Sequence, residues 1–202
     1  EVVGGLLDTL SKTCQDGKLD GGAVLMMGEK SMTLVAGGKV AEPKSLEKSL
    51  RKLVDLAKDE PDFPKVKFNA GKHGGVEFHT LSAPIPADEE EARNVFGDKL
   101  DAVVGIGDGA AYLALGKDAE ATLKKVIDRS TMVTQDVPPM TLSIALTPIF
   151  KFASSVQDNP VLELIITTLE KSGGKDHIFL RAMMTKNGAT YRLTVEEGIL
   201  KA

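Results

Sequence analysis

The chain is 202 residues long, with 42% hydrophobic and 27% charged residues, enough apolar material for a packed core and too much for a disordered chain. Its formal net charge is −4 and its lysines and arginines are spread along the chain, so no basic block exists to neutralise a row of phosphates. Aromatic residues at 4%, with no tryptophan, leave few platforms for stacking bases or sugars, and no apolar run approaches the roughly 20 residues that a membrane helix needs.

Residues 2 to 15 read as a helix, because Val3, Leu7, Leu10 and Cys14 fall on one face. On that stripe Cys14 is expected to be a buried small hydrophobe. As the one cysteine, it excludes an internal disulfide and leaves the redox compartment open. Asp16-Gly17 and Gly21-Gly22 end the helix. Ala23–Met27 and Met32–Gly37 then form a hairpin around Gly28-Glu29-Lys30-Ser31.

Pro43 suits a first helical turn, and Lys44 to Lys58 forms the body of that helix. Its stripe is Leu46, Leu50, Leu53, Val54 and Ala57. Pro61 and Pro64 close it. Val66, Phe68 and Ala70 alternate with polar residues, as do Val76 and Phe78, and Gly74-Gly75 between them marks a second hairpin. The acidic run Asp88–Glu91 opens a short helix to about Phe96, as acidic residues favour a helix N-terminus.

A third hairpin is expected from Ala102–Ile106 and Ala111–Leu115, turning at Gly107-Asp108-Gly109, and Asp118 is placed to cap a helix through Ile127. Residues 130 to 139 read as a polar connection and as the best internal boundary. Leu142, Ile144 and Leu146 alternate in a strand, Pro148 starts a short helical turn, and Pro160 starts a helix to about Lys171. The last hairpin pairs Ile178–Met184 with Ala189–Val195 across Asn187-Gly188.

Reaction motifs fail on context. Gly105-Ile106-Gly107-Asp108-Gly109 is followed by a strand pattern where a dinucleotide loop requires a helix. Gly116-Lys117 is followed by Asp118, where a phosphate loop has Ser or Thr. Glu77 and His79, two apart on a strand, share one sheet face and form the one carboxylate–imidazole pair that spacing alone brings together. That face is expected to be solvated, with His79 pointing to water, His73 in an exposed turn and His177 too distant to join either. Met26-Met27 and Met183-Met184 each place one thioether on each side of a sheet, which suits an adaptable apolar contact. Glu77, His79, Met26 and Met184 are therefore the candidate ligand-binding residues. No catalytic residue, metal or cofactor is expected.

Part of the chain is written twice. Leu46, Leu50, Leu53, Val54 and Asp55 match Ala119, Leu123, Val126, Ile127 and Asp128 at a constant offset of 73 (119 − 46), each run following a Gly-Lys pair. A wider echo joins Met32-Thr33-Leu34 to Met140-Thr141-Leu142, so residues 32–82 and 140–196 are expected to repeat strand, helix and hairpin. The tract Gly105–Ser130, with Ala111-Tyr112-Leu113-Ala114-Leu115-Gly116-Lys117-Asp118 leading into Leu123-Lys124-Lys125-Val126-Ile127-Asp128, resembles uncharacterised bacterial proteins. So does the ending Tyr191-Arg192-Leu193-Thr194-Val195-Glu196-Glu197-Gly198. Those proteins are large, exported and built from repeated strand-strand-helix modules. The resemblance implies a periplasmic or extracellular setting and brings no catalytic residues with it.

The sequence therefore predicts an α+β fold: antiparallel sheets of hairpin-plus-helix units, with helices packed on one face. The units are expected at 1–100 and 101–202, or as one continuous domain. The chain opens at Glu1 without an initiator methionine, as a processed form or a piece of a larger protein does. The expected role is a non-catalytic binding or scaffolding module. Its partner would be a protein or the rest of a larger chain, with no nucleic acid and no membrane span. The alternative is a small-molecule or apolar-ligand site, a carrier or hydrolase, at the junction of the two units.

Overall fold

Gly74 and Gly75 both adopt positive φ, 56° and 83°, as a two-residue hairpin turn demands of its central residues. They fold strand β3 (Lys65–His73) back on β4 (Val76–Pro84), with His73 opposite Val76. The computed structural model describes residues 2–17, 20–60, 63–132, 138–157 and 159–202. Its content is 39% helix and 39% strand, an α+β fold with antiparallel sheets.

Two compact units divide the chain, Glu1–Met26 with Met32–Met132, and Met27–Ser31 with Val133–Ala202. The first contains helix α1 (Val2–Gln15), hairpin β1 (Gly21–Gly28) and β2 (Ser31–Lys39), helix α2 (Pro43–Ala57), β3, β4 and the short α3 (Glu90–Phe96). It continues through hairpin β5 (Lys99–Ile106) and β6 (Ala110–Gly116) into α4 (Ala119–Met132). Its six strands lie in the order β1-β2-β6-β5-β4-β3. A split at position 100 does not survive this topology. β5 pairs with β4 along eight residues, from Glu77 opposite Ile106 to Pro84 opposite Lys99, and β6 pairs with β2. The break falls after Met132 instead, inside the 130–139 stretch, of which residues 133–137 lie outside the described residues.

Val35, Val76, Phe78, Val103 and Ala114 on one sheet face enclose Ala119, Leu123 and Ile127 of α4. Phe78 and Leu123 have no exposed surface, so this layer is the core of the first unit. α2 stands over the opposite face. Its Arg51 guanidinium lies 4.2 Å from the centre of the Phe68 ring and is held by Glu47 at 2.7 Å. The helices of this unit thus cover both faces of the sheet. The solvated outer face expected around His79 is corrected accordingly.

α1 packs on α2 through its small residues. Gly5 approaches Ser49 so closely that a Cβ would stand 2.8 Å from the Ser49 hydroxyl oxygen. Thr9 and Thr13 are buried on the same side, and the Thr13 hydroxyl accepts the Ala41 N–H at 3.1 Å. Leu7 and Cys14 therefore face outward, so the expectation of a buried Cys14 is reversed. The side chains of Val3 and Leu10 lie outside the described residues.

The second unit holds a three-stranded sheet in the order β7 (Met140–Ala145), β8 (His177–Thr185) and β9 (Gly188–Val195). Helices α5 (Leu146–Val156) and α6 (Pro160–Glu170) lie between β7 and β8, and α7 (Glu197–Lys201) follows β9. The Asn159 side chain caps α6 by accepting the Val161 N–H at 3.0 Å. Leu146, expected in the strand, begins α5 instead, and the helix that follows is longer than one turn at Pro148. Residues 32–82 run strand, helix, hairpin, whereas residues 140–196 run strand, two helices, hairpin. Their pairing also differs: β7 lies directly against β8, whereas β6 and β5 separate β2 from β4. No helix among the described residues is long and apolar enough to cross a membrane.

Candidate functional site

The residues picked from the sequence do not converge. Glu77 is exposed, and His79, two residues on, is only 4% exposed. The His79 Nδ1 accepts the Asn69 N–H at 3.1 Å, the ring meets Phe68 edge-on, and Nε2 has no hydrogen-bond partner among the described residues, with Glu47 Oε1 3.9 Å away. Burial pushes the imidazole below its ordinary pKa. The Glu47 charge opposes the shift, and Arg51 reinforces it. His73 is half-buried at the end of β3 and bonds Asp128 of α4 at 2.7 Å. Met26 is exposed on β1 in the first unit, and Met184 is 70% exposed on β8 in the second.

The register of the three-stranded sheet assembles a surface that those residues only hint at. Cross-strand partners share a face, so one face carries the rows Met140–Ala182–Tyr191, Leu142–Leu180–Leu193 and Ile144–Ile178–Val195. Met184 belongs to it by alternation. Every residue of these rows is apolar or aromatic, yet Tyr191 and Leu193 are each 65% exposed and Leu142 is 49% exposed. The other face carries Thr141–Arg181–Arg192 and Ser143–Phe179–Thr194. Polarity is thus segregated across the sheet: exposed Leu142, Tyr191 and Leu193 mark the apolar face, and exposed Thr141, Arg181 and Arg192 mark the other.

At the end of the same sheet, backbone pairing gathers three ionisable groups. Ile178 faces Val195, so the next rung outward is His177 and Glu196. The Glu196 N–H donates to the His177 carbonyl at 3.0 Å, and Glu196 Oε2 accepts the His177 N–H at 2.9 Å. On the other side His177 faces Ala145, the residue before α5. Alanine cannot cap a helix, and Asp176 does so in its place. Its carbonyl accepts the Leu146 N–H at 3.1 Å, and its Oδ2 accepts the Thr147 N–H at 2.9 Å.

Asp176 Oδ1 then lies 3.0 Å from His177 Nδ1, and Glu196 Oε2 lies 3.4 Å from the same nitrogen. The imidazole stacks on Phe179 with ring centres 5.4 Å apart and planes 7° apart. Burial works to raise the Asp176 carboxyl, but the Thr147 hydrogen bonds and the His177 charge outweigh it, leaving the group below the usual carboxylate range. Asp176, His177 and Glu196 offer ligand atoms within 4.8 Å of one another, the one such trio among the described residues.

No protein-family model, curated protein or solved structure matches this chain. Its chemistry has to be read from its own groups. Sequence spacing alone does not join the trio, because His177 and Glu196 are 19 positions apart. The signal was present: Asp-His opens one strand of a hairpin with a two-residue turn, and Glu follows the last residue of its partner.

Proposed function

We propose that this chain is a non-catalytic binding or scaffolding module of a larger exported protein, and that it meets its protein partner through the apolar face of the β7–β8–β9 sheet. The observation that carries the reading is the row Leu142–Leu180–Leu193, with Leu142 and Leu193 exposed and Leu180 half-buried between them, flanked by exposed Tyr191 and Met184. A contiguous apolar surface in contact with water is unfavourable for a protein acting alone, and such patches mark contact sites. Tyr191 adds a rigid ring with a polar tip, a residue type enriched at the centre of interfaces. The export and the larger parent chain rest on the resemblance of the Gly105–Ser130 tract and the Tyr191–Gly198 ending to repeated-module bacterial proteins.

The test uses the folded chain and a Leu142→Asp/Leu193→Asp variant. In sedimentation and bis-ANS fluorescence, the parent protein is expected to self-associate or bind dye while keeping its circular dichroism. The variant is expected to be folded, monomeric and dye-free. A parent protein that stays monomeric and dark, or a folded variant that behaves like the parent, would remove the sheet face as the binding surface.

A further inference from the structure

We infer that Asp176, His177 and Glu196 form a binding site for one divalent first-row transition cation, with Zn²⁺ as the natural probe. Three observations on the second unit converge on it. The first is spacing. Two ligand atoms about 2.1 Å from one cation stand about 3.0 Å apart in octahedral arrangement and about 3.4 Å apart in tetrahedral arrangement. His177 Nδ1 lies 3.0 Å from Asp176 Oδ1 and 3.4 Å from Glu196 Oε2. All three groups offer ligand atoms within 4.8 Å of one another.

The second is preorganisation. Ligand residues are held by groups behind them, and those outer contacts are much of what makes a site. Here the Thr147 N–H holds Asp176 Oδ2 and leaves Oδ1 toward the imidazole. The His177 N–H holds Glu196 Oε2, and Phe179 fixes the imidazole plane by stacking. Asp176 is also almost wholly buried, so its carboxylate can move little.

The third is donor chemistry. One imidazole with two carboxylates is a mixed set. Calcium prefers six to eight oxygens and copper(I) prefers sulfur, whereas zinc and its first-row neighbours accept nitrogen and oxygen together. Three protein ligands also leave a coordination position open to water or to a donor from outside the chain. Bound there, the cation would tie the start of α5, the start of β8 and the residue preceding α7 together.

Without a cation the same groups make a hydrogen-bonded trio, so binding must be read directly. Isothermal titration of the whole chain with ZnCl2 is expected to give one equivalent, with CaCl2 at least tenfold weaker. His177→Gln and Glu196→Gln should each weaken zinc by tenfold or more while His73→Gln, at the half-buried histidine beside Asp128, leaves it unchanged. Asp176→Asn keeps an oxygen for the Thr147 N–H and should weaken zinc as well; if it fails to fold, the His177 and Glu196 variants carry the same test. No stoichiometric zinc binding, binding that survives His177→Gln, binding lost in His73→Gln, or calcium preferred over zinc would each overturn the inference.

Discussion

Phe78 and His79 are adjacent in β4, and both are buried, Phe78 against Leu123 of α4 and His79 near Glu47 of α2 on the opposite face. Period-2 alternation sends neighbours to opposite sides, and here both sides are covered. The first unit therefore has an apolar layer and a second, partly polar layer that mutation can address separately.

In the apolar layer, Leu123→Ala removes a fully buried side chain from the α4 face. The expected loss is about 2–5 kcal/mol, against about 0.5 kcal/mol or less for Leu56→Ala at an exposed position of α2. Urea unfolding of both proteins with similar m-values measures the difference. Equal losses would mean that α4 does not close this core.

His79 gives the polar layer a pH dependence. Its folded-state pKa lies below the ordinary His value of about 6.5, so the unfolded chain binds the proton more readily. Above that value His79 makes no pH-dependent contribution. As pH falls from there toward the lower folded-state value, stability is lost, and below the latter the loss levels off. Glu47, Arg51 and Glu77 are the charged groups that tune the position of this window. Unfolding free energy measured from pH 7.5 down to 5 should fall more steeply in the parent protein than in His79→Phe. Parallel curves would exclude His79 as the source. His79→Ala is also expected to cost more than a surface change, about 1 kcal/mol or above.

Gly116 ends β6 with φ of 109°, and a Cβ there would collide with the Met32 carbonyl oxygen. Gly116→Ala is expected to destabilise by more than about 1 kcal/mol, because both the backbone conformation and the space forbid a side chain. Gly188→Ala, where a Cβ meets nothing within 4 Å, serves as the control. Thermal denaturation of the two variants decides it, and a Gly116→Ala melting curve matching the control would refute the close approach.

Cys14 should react with a thiol reagent in the folded protein at a rate near that of a free thiol, since it faces outward from α1. Cys14→Ser should change stability by no more than about 0.5 kcal/mol. Protection of the thiol until denaturant is added would restore the buried stripe.

Local pattern reached some of this structure and stopped where packing is non-local. Alternation reached the last hairpin, Ile178 opposite Val195 and Met184 opposite Ala189, although the turn falls at Lys186-Asn187, one residue before the Asn187-Gly188 pair that turn chemistry favours. The same alternation put Phe78 and His79 on opposite faces, but no local signal says that α2 arrives over His79. In α1 the apolar stripe of Leu7 and Cys14 lost to Gly5, Thr9 and Thr13, because small residues let two helices approach closely. Which face wins such a contest depends on Ser49, more than forty positions away. Asp176 reads as a loop residue until α5 is seen to begin without a capping side chain of its own.

The strand order β1-β2-β6-β5-β4-β3 also sets a timetable. The two middle strands, β6 and β5, come from the last hairpin of the sheet, and they separate hairpin β1–β2 from hairpin β3–β4. On a ribosome, the first two hairpins emerge with their inner edges unpaired, and neither can join the other until Gly116 is out. Closing the sheet then waits on contacts between distant parts of the chain, which makes folding slow and leaves strand edges open meanwhile. A nascent chain halted near residue 100 would hold four strands and no finished sheet.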